Sequence, residues 1–333
     1  MNIKFKVSES SNFIHIMDSI SGYAEESNCC DISLGVKEEY KRLFPRSKID
    51  SGRMVVRGLT DRGYAVIYSN SRSAMSFGED RLFGLFLSCE NLEEAIERIK
   101  KTVPEHLLSS IRDPILHFRS NISKMYSRVE DLLEERRNNL ERMLQNHPLD
   151  SLVGEVQCFY GSDYSPKQLS VDLLLNQDDT RKFAKVISKG RTILMPTALG
   201  VEENKHWLTD LGTVAHEIAH MIENSVLEKL LDFLKQKSIF GDEALIIREA
   251  IVESLVVYGV LGVKYGLVDK MLDKRVKIPS RYESPWEYIR SFRKKLGAYL
   301  CKSSSQALRD RKNIFEGNYL ENAIDTLIRL RPN

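Results

Sequence analysis

The sequence predicts an α+β protein that is mainly helical, with a small β-sheet near its middle. Three observations lead there. From Trp207 onward, apolar residues recur three and four positions apart with few breaks, which is the helical period. Residues 91–145 repeat that pattern. Between the two lie short runs of β-branched and aromatic residues around Gly-bearing turns.

In chain order, residues 1–90 read as a mixed α/β region. Phe13, Ile16, Met17 and Ile20 set a helix within residues 10–25. Residues 54–59 and 64–68 flank Thr60-Asp61-Arg62-Gly63 and predict a hairpin. Residues 91–150 form a helical region. Asn91 can cap its first helix, with Glu93 and Glu94 in the first turn and Leu92, Ala95, Ile96 and Ile99 as the apolar stripe. Pro104 and Pro114 are expected to divide the stretch. Residues 122–144 read as one long amphipathic helix, with the charges from Glu130 to Arg137 as a solvated face. His147-Pro148-Leu149-Asp150 ends it and marks a domain boundary.

Residues 151–333 form the remaining domain. Residues 153–160 and 169–175 read as strands, and 185–188 with 192–196 as a hairpin around Lys189-Gly190-Arg191. Helices follow, with breaks near Gly241, at Gly266-Leu267 and over residues 279–285.

Composition excludes several classes. The 42% hydrophobic and 29% charged content of the 333 residues is that of an ordinary globular protein. Lys and Arg number 49 against 47 Asp and Glu, so charge gives no case for nucleic acid as a partner. Five cysteines with no CxxC spacing, two of them adjacent at Cys29 and Cys30, read as free thiols in a reducing compartment. The first residues lack the apolar run of a signal peptide, and no run approaches the ~18 apolar residues of a membrane span. The expectation is a cytoplasmic protein with no membrane and no nucleic-acid partner.

The chemistry-bearing motif is His216-Glu217-Ile218-Ala219-His220. Four residues apart on a helix, both imidazoles lie on one face, where they can reach a single ion. Glu217 then lies beside the ion's open position and can take a proton from water. Zinc suits such a site because it accepts imidazole and carboxylate in a tetrahedral array. The bare pattern occurs by chance in roughly one chain per hundred of this length. Its setting sharpens it: residues 213–222 contain no Pro or Gly, and Ala215, Ile218, Ala219 and Ile222 form an apolar face beneath the ligands.

A catalytic zinc needs a third protein ligand. No histidine follows His220, and Glu223 and Val226 exclude the metzincin pattern. The ligand should therefore be a carboxylate. Residues 246–258 form an apolar helix with Glu249 and Glu253 one turn apart, and buried carboxylates there need a cation or a hydrogen-bond partner. Either could be the ligand, with the other a hydrogen-bond acceptor for a ligating imidazole.

At this point the chain resembles the gluzincin class of metallopeptidases, the thermolysin-like families. Those carry HExxH on one helix and a Glu ligand on a following one. Glu249-Ala250-Ile251-Val252-Glu253 is similar to their second motif, although no Asn precedes Glu249 and Val252 stands where a small residue is common. The resemblance covers residues 190–260 and implies a zincin-like domain, with the small sheet preceding the HExxH helix. It implies Zn2+ held by His216, His220 and Glu249, with Glu253 orienting His216 and Glu217 as general base in hydrolysis of a peptide or protein substrate. It also implies a substrate-pairing edge strand, for which residues 192–196 are the candidate. An oxyanion-stabilising side chain would come from Tyr258, Tyr288, Tyr299, Tyr319 or His206. Peptide deformylase also uses HExxH, but the residues around Cys158 do not match its cysteine segment. A non-catalytic zinc-binding scaffold is the alternative; the retained Glu217 argues against it. The basic runs at 290–295 and 309–312 read as solvated helix faces.

Overall fold

The structure is a computed structural model that describes residues 1–21, 34–45, 85–89, 91–102, 105–176, 184–187, 192–198, 205–271, 275 and 285–331. The hairpin expected over residues 54–68 lies outside them. The described chain is mostly helical with a small sheet, an α+β protein. It separates into two compact units: residues 2–141 with 168–202, and Met1 with 142–167 and 203–333. The division at residues 90 and 150 drawn from the sequence groups the chain differently.

The first unit holds the sheet. Its strands are β1 (Asn2–Val7), β2 (Gln168–Asn176), β3 (Lys185–Ile187) and β4 (Thr192–Ala198), in the order β1-β2-β4-β3. β1, β2 and β4 run parallel, and β3 is antiparallel to β4, as the expected hairpin requires. β4 is thus an interior strand, paired on both sides from Thr192 to Leu194.

Helix α1 (Glu9–Ser21) packs against β2. Its predicted stripe, Phe13, Ile16, Met17 and Ile20, is buried, but so are Ser10, Ser11, Asn12, His15 and Ser19. These polar groups are bonded. Asn12 Nδ2 donates to the carbonyl of Leu173 (3.1 Å), and the Leu175 N–H donates to Asn12 Oδ1 (2.7 Å). Ser11 Oγ donates to Asp172 Oδ1 at 3.1 Å.

Beside α1 and α2 (Leu34–Leu43) stand α3 (Leu92–Thr102) and α4 (Glu105–Ser127). α4 runs through Pro114, which was expected to break it. An internal proline costs about 3 kcal/mol. Ile111, Ile115, Phe118 and Ile122 flank it in the core, and each buried side chain contributes about 1.5–3 kcal/mol, so burial outweighs the lost bond. The break comes instead at Arg128 and Val129, so the single helix expected over 122–144 is two. α5 (Glu130–Asn146) starts afresh with Glu130 and Asp131 in its first turn, where acidic groups suit the helix dipole. Of its charges, Arg136 is buried rather than solvated.

The second unit corrects another expectation. Residues 153–160 are not a strand but part of helix α6 (Asp150–Tyr160). Leu152, Val153, Val156, Phe159 and Tyr160 make a helical stripe, and Gly161 ends the helix at φ +63°. There the Gly161 and Ser162 N–H groups bond the carbonyls of Cys158 and Gln157. Around α6 come α7 (Lys205–Asn224), α8 (Leu227–Gln236), α9 (Gly241–Leu255), α10 (Val260–Lys264), α11 (Pro285–Asp310) and α12 (Tyr319–Leu330). α9 is buried from Ala244 to Leu255 and packs along α11. A Cβ on Gly262 would stand 1.9 Å from the Val256 carbonyl oxygen, so only glycine lets α10 fold back onto the end of α9.

Cys89, Cys158 and Cys301 are free thiols; Cys29 and Cys30 lie outside the described residues. Among the described residues no helix is long and apolar enough to cross a membrane.

Asp172 gives the first unit a pH dependence. Burial raises its carboxyl from 3.8 to about 6, against the pull of Lys6 and the bonds from Ser11 and Ser170. Between those values the folded chain holds a proton that the unfolded chain has lost, so stability falls as pH rises toward 6. The rise corresponds to about 3 kcal/mol. Asp172→Asn keeps an acceptor for Ser11 and should flatten this dependence. Melting at pH about 8 should exceed wild type, and at pH about 4 the two should nearly coincide.

Candidate metal centre

Helix α7 carries the HExxH residues and α9 the acidic pair, as expected. His216, Glu217, His220, Glu249 and Glu253 are all buried. Ala215, Ile218, Ala219 and Ile222 are buried as well, which anchors α7 and fixes where the imidazoles point.

Two imidazole nitrogens and the Glu249 carboxylate converge. His220 Nε2 lies 3.1 Å from His216 Nε2 and 3.3 Å from Glu249 Oε1, while the other carboxylate oxygen, Oε2, lies 3.8 Å from His216 Nε2. A tetrahedral zinc with bonds of about 2.0–2.1 Å separates its ligand atoms by about 3.3 Å. His216, His220 and Glu249 are the group among the described residues whose geometry can hold a metal ion. Among the described residues Glu249 Oε1 is buried with no partner beyond the His220 Nε2 that it faces, which suits an acceptor for a cation. Glu253 is outside this group.

The partners of the ligands depart from expectation. The acid that orients an imidazole is Glu223, whose Oε2 lies 2.9 Å from His220 Nδ1. His216 Nδ1 has no hydrogen-bond partner among the described residues, and Glu253 faces Arg293 instead, at 3.7 Å. Glu223 also accepts from Arg248, from Nε at 3.0 Å and from Nη2 at 3.1 Å. Arg293, on α11, donates from Nη1 to Glu249 Oε2. It belongs to the basic run read as solvated, yet its side chain is only 16% exposed.

Charge explains the electrostatics. Burial depresses the basicity of His216, and His220 adds to the effect. His220 is also buried, but Glu249 and Glu223 outweigh that and raise it. Burial pushes the Glu217 carboxyl up to about 7, with Glu249 adding to the rise. Burial acts likewise on Glu249, but Arg293 and His220 overcome it and hold the group ionised.

The structure adds a residue that the sequence did not single out. Tyr160 is fully buried, feels the charges of Glu223, Arg248 and Glu249, and its hydroxyl has no partner among the described residues. Nothing in a single tyrosine marks it from sequence. Glu223 was legible: it sits three residues after His220, on the same helix face. Of the tyrosines considered for oxyanion binding, Tyr319 is bonded to Ser304 at 2.9 Å, and Tyr299 is exposed with the Lys295 ammonium over its ring. Tyr258 is partly buried and within the field of Glu253 and Arg290. The side chains of Tyr288 and His206 lie outside the described residues.

No protein-family model, curated protein or solved structure matches this chain.

The Glu223–Arg248 pair is buried, and removing one member strands the other's charge. Arg248→Met should therefore lower stability by about 3–5 kcal/mol, measured by chemical unfolding. Glu223→Gln with Arg248→Met should recover part of the loss, because no charge is then left alone.

Proposed function

We propose that this chain is a zinc-dependent hydrolase acting on peptide bonds, with a gluzincin-like ligand set of His216, His220 and Glu249. The observation that supports it most is the convergence of the two imidazoles and the Glu249 carboxylate, with His220 Nε2 3.1 Å from His216 Nε2 and 3.3 Å from Glu249 Oε1. The donor chemistry supports it too. Glu217, Glu223, Glu249 and Glu253 are buried beside His216 and His220, a set rich in carboxylate and imidazole that suits a divalent cation.

The ion would supply Lewis acidity toward a substrate carbonyl and toward water. The residues do the rest. Glu223 accepts the Nδ1–H of His220, which leaves the Nε2 lone pair facing inward. Arg248 holds Glu223 in place for that bond. Glu217 takes the proton of the attacking water and returns it to the leaving amine. A carboxyl serves both steps, since it can take the proton and then give it back. The substrate class, a peptide or protein, comes from the gluzincin resemblance.

One observation favours the alternative of a zinc-binding scaffold without activity: every ligand side chain is less than a tenth exposed. Two variants decide between these readings. Glu217→Gln should keep one zinc per chain by elemental analysis and lose roughly 100- to 10,000-fold in cleavage of an unfolded protein substrate. His216→Ala should lose the metal and the activity together. Undiminished hydrolysis by Glu217→Gln would exclude the mechanism, and full zinc with no cleavage by wild type would favour the scaffold.

A further inference from the structure

We infer that Arg293 is a positioning residue that makes Glu249 a one-oxygen ligand, holding the second carboxylate oxygen away from the ion. This rests on the metal-centre reading above and assigns the basic run of α11 a part in it.

The two oxygens of Glu249 have different surroundings. Oε1 faces His220 Nε2 at 3.3 Å and has no other partner among the described residues. Oε2 accepts from Arg293 Nη1 and lies 3.8 Å from His216 Nε2. A carboxylate can bind a metal through one oxygen or through both. A guanidinium N–H on Oε2 draws that oxygen toward α11 and competes with the ion for its electron density. One-oxygen binding leaves a coordination position free, and a catalytic zinc site keeps such a position.

Arg293 is itself fixed. Its Nη2 lies 3.7 Å from Glu253 Oε1, one turn further along α9, so the planar guanidinium spans both acids of that helix. Glu253 thereby acts on the ligand through Arg293 rather than through His216. A lysine would present one point charge and could not span the pair in this way.

Cobalt(II) serves as the probe, because its visible absorption is strong in four-coordinate sites and weak at higher coordination numbers. Full-length metal-free protein is titrated with Co2+, following absorption and affinity together. Wild type should bind one Co2+ with strong bands. Arg293→Met should retain a folded circular dichroism spectrum and lose band intensity several-fold as Oε2 joins the ion. Arg293→Gln, too short to reach Glu249, should behave alike. Unchanged bands in either folded variant would overturn the inference and leave Arg293 a plain ion pair. Failure of both variants to fold would also overturn it, placing Arg293 in the scaffold. Wild type that binds no Co2+ would instead overturn the metal centre itself.

Discussion

Ionisable side chains buried together, each dependent on a neighbour for its counter-charge, are the constraint around which the second unit is organised. Glu217, Glu223, Glu249 and Glu253 lie out of water on two helices, among Ile218, Ala219, Ile246 and Ala250. An isolated ion in such surroundings is several kcal/mol less stable than in solvent. Arg248 and Arg293 offset part of this, and the same carboxylates, Glu249 and Glu223, raise the basicity of His220. A divalent ion would answer the same demand, bringing two charges rather than one and accepting the lone pairs of both imidazoles as well.

Helix α9 is the hub of that arrangement because it has no solvent face. A helix buried all round must find a partner for each polar side chain, and those partners tie it to its neighbours. Arg248 reaches Glu223 on α7. Glu249 and Glu253 reach Arg293 on α11. Ser254 lies 2.7 Å from Ser304 on α11 and 3.5 Å from the hydroxyl of Tyr319 on α12. The same side chains that form the candidate centre therefore fix how α9 sits against three other helices. A substitution at the centre is felt in packing as well as in chemistry.

The sequence was most legible where spacing maps directly onto one element. The i, i+4 histidines and the one-turn pair Glu249 and Glu253 lie where a helical reading puts them, on buried helices. Long, regular patterns such as α3 and β2 were readable for the same reason. Legibility failed where tertiary burial outvoted local preference. Pro114 stays helical because its neighbours are core residues, and residues 153–160, rich in β-branched and aromatic side chains, are wound by their helical stripe and the Gly161 cap. Arg293 was out of reach for another reason. A basic residue in a charged run looks like its solvated neighbours until the folded chain brings α9 beside α11. The polar half of α1 is similar: Ser11 and Asn12 look like surface residues until Asp172 and the β2 backbone meet them.

That last contact bears on alignment within the sheet. The β1 ladder against β2 ends at Val7 opposite Leu173, and the Asn12 amide then bonds the carbonyl of Leu173 and the N–H of Leu175. One side chain thus does the work of a further strand residue. Parallel strands that slide by one position turn every side chain to the wrong face, here moving Phe5 out of the core. Because α1 starts two residues after β1, any such slide would also drag Asn12 off both of its bonds. The amide works as a latch that recognises a single alignment. It also stoppers the backbone groups that a short β1 would otherwise leave open to another chain.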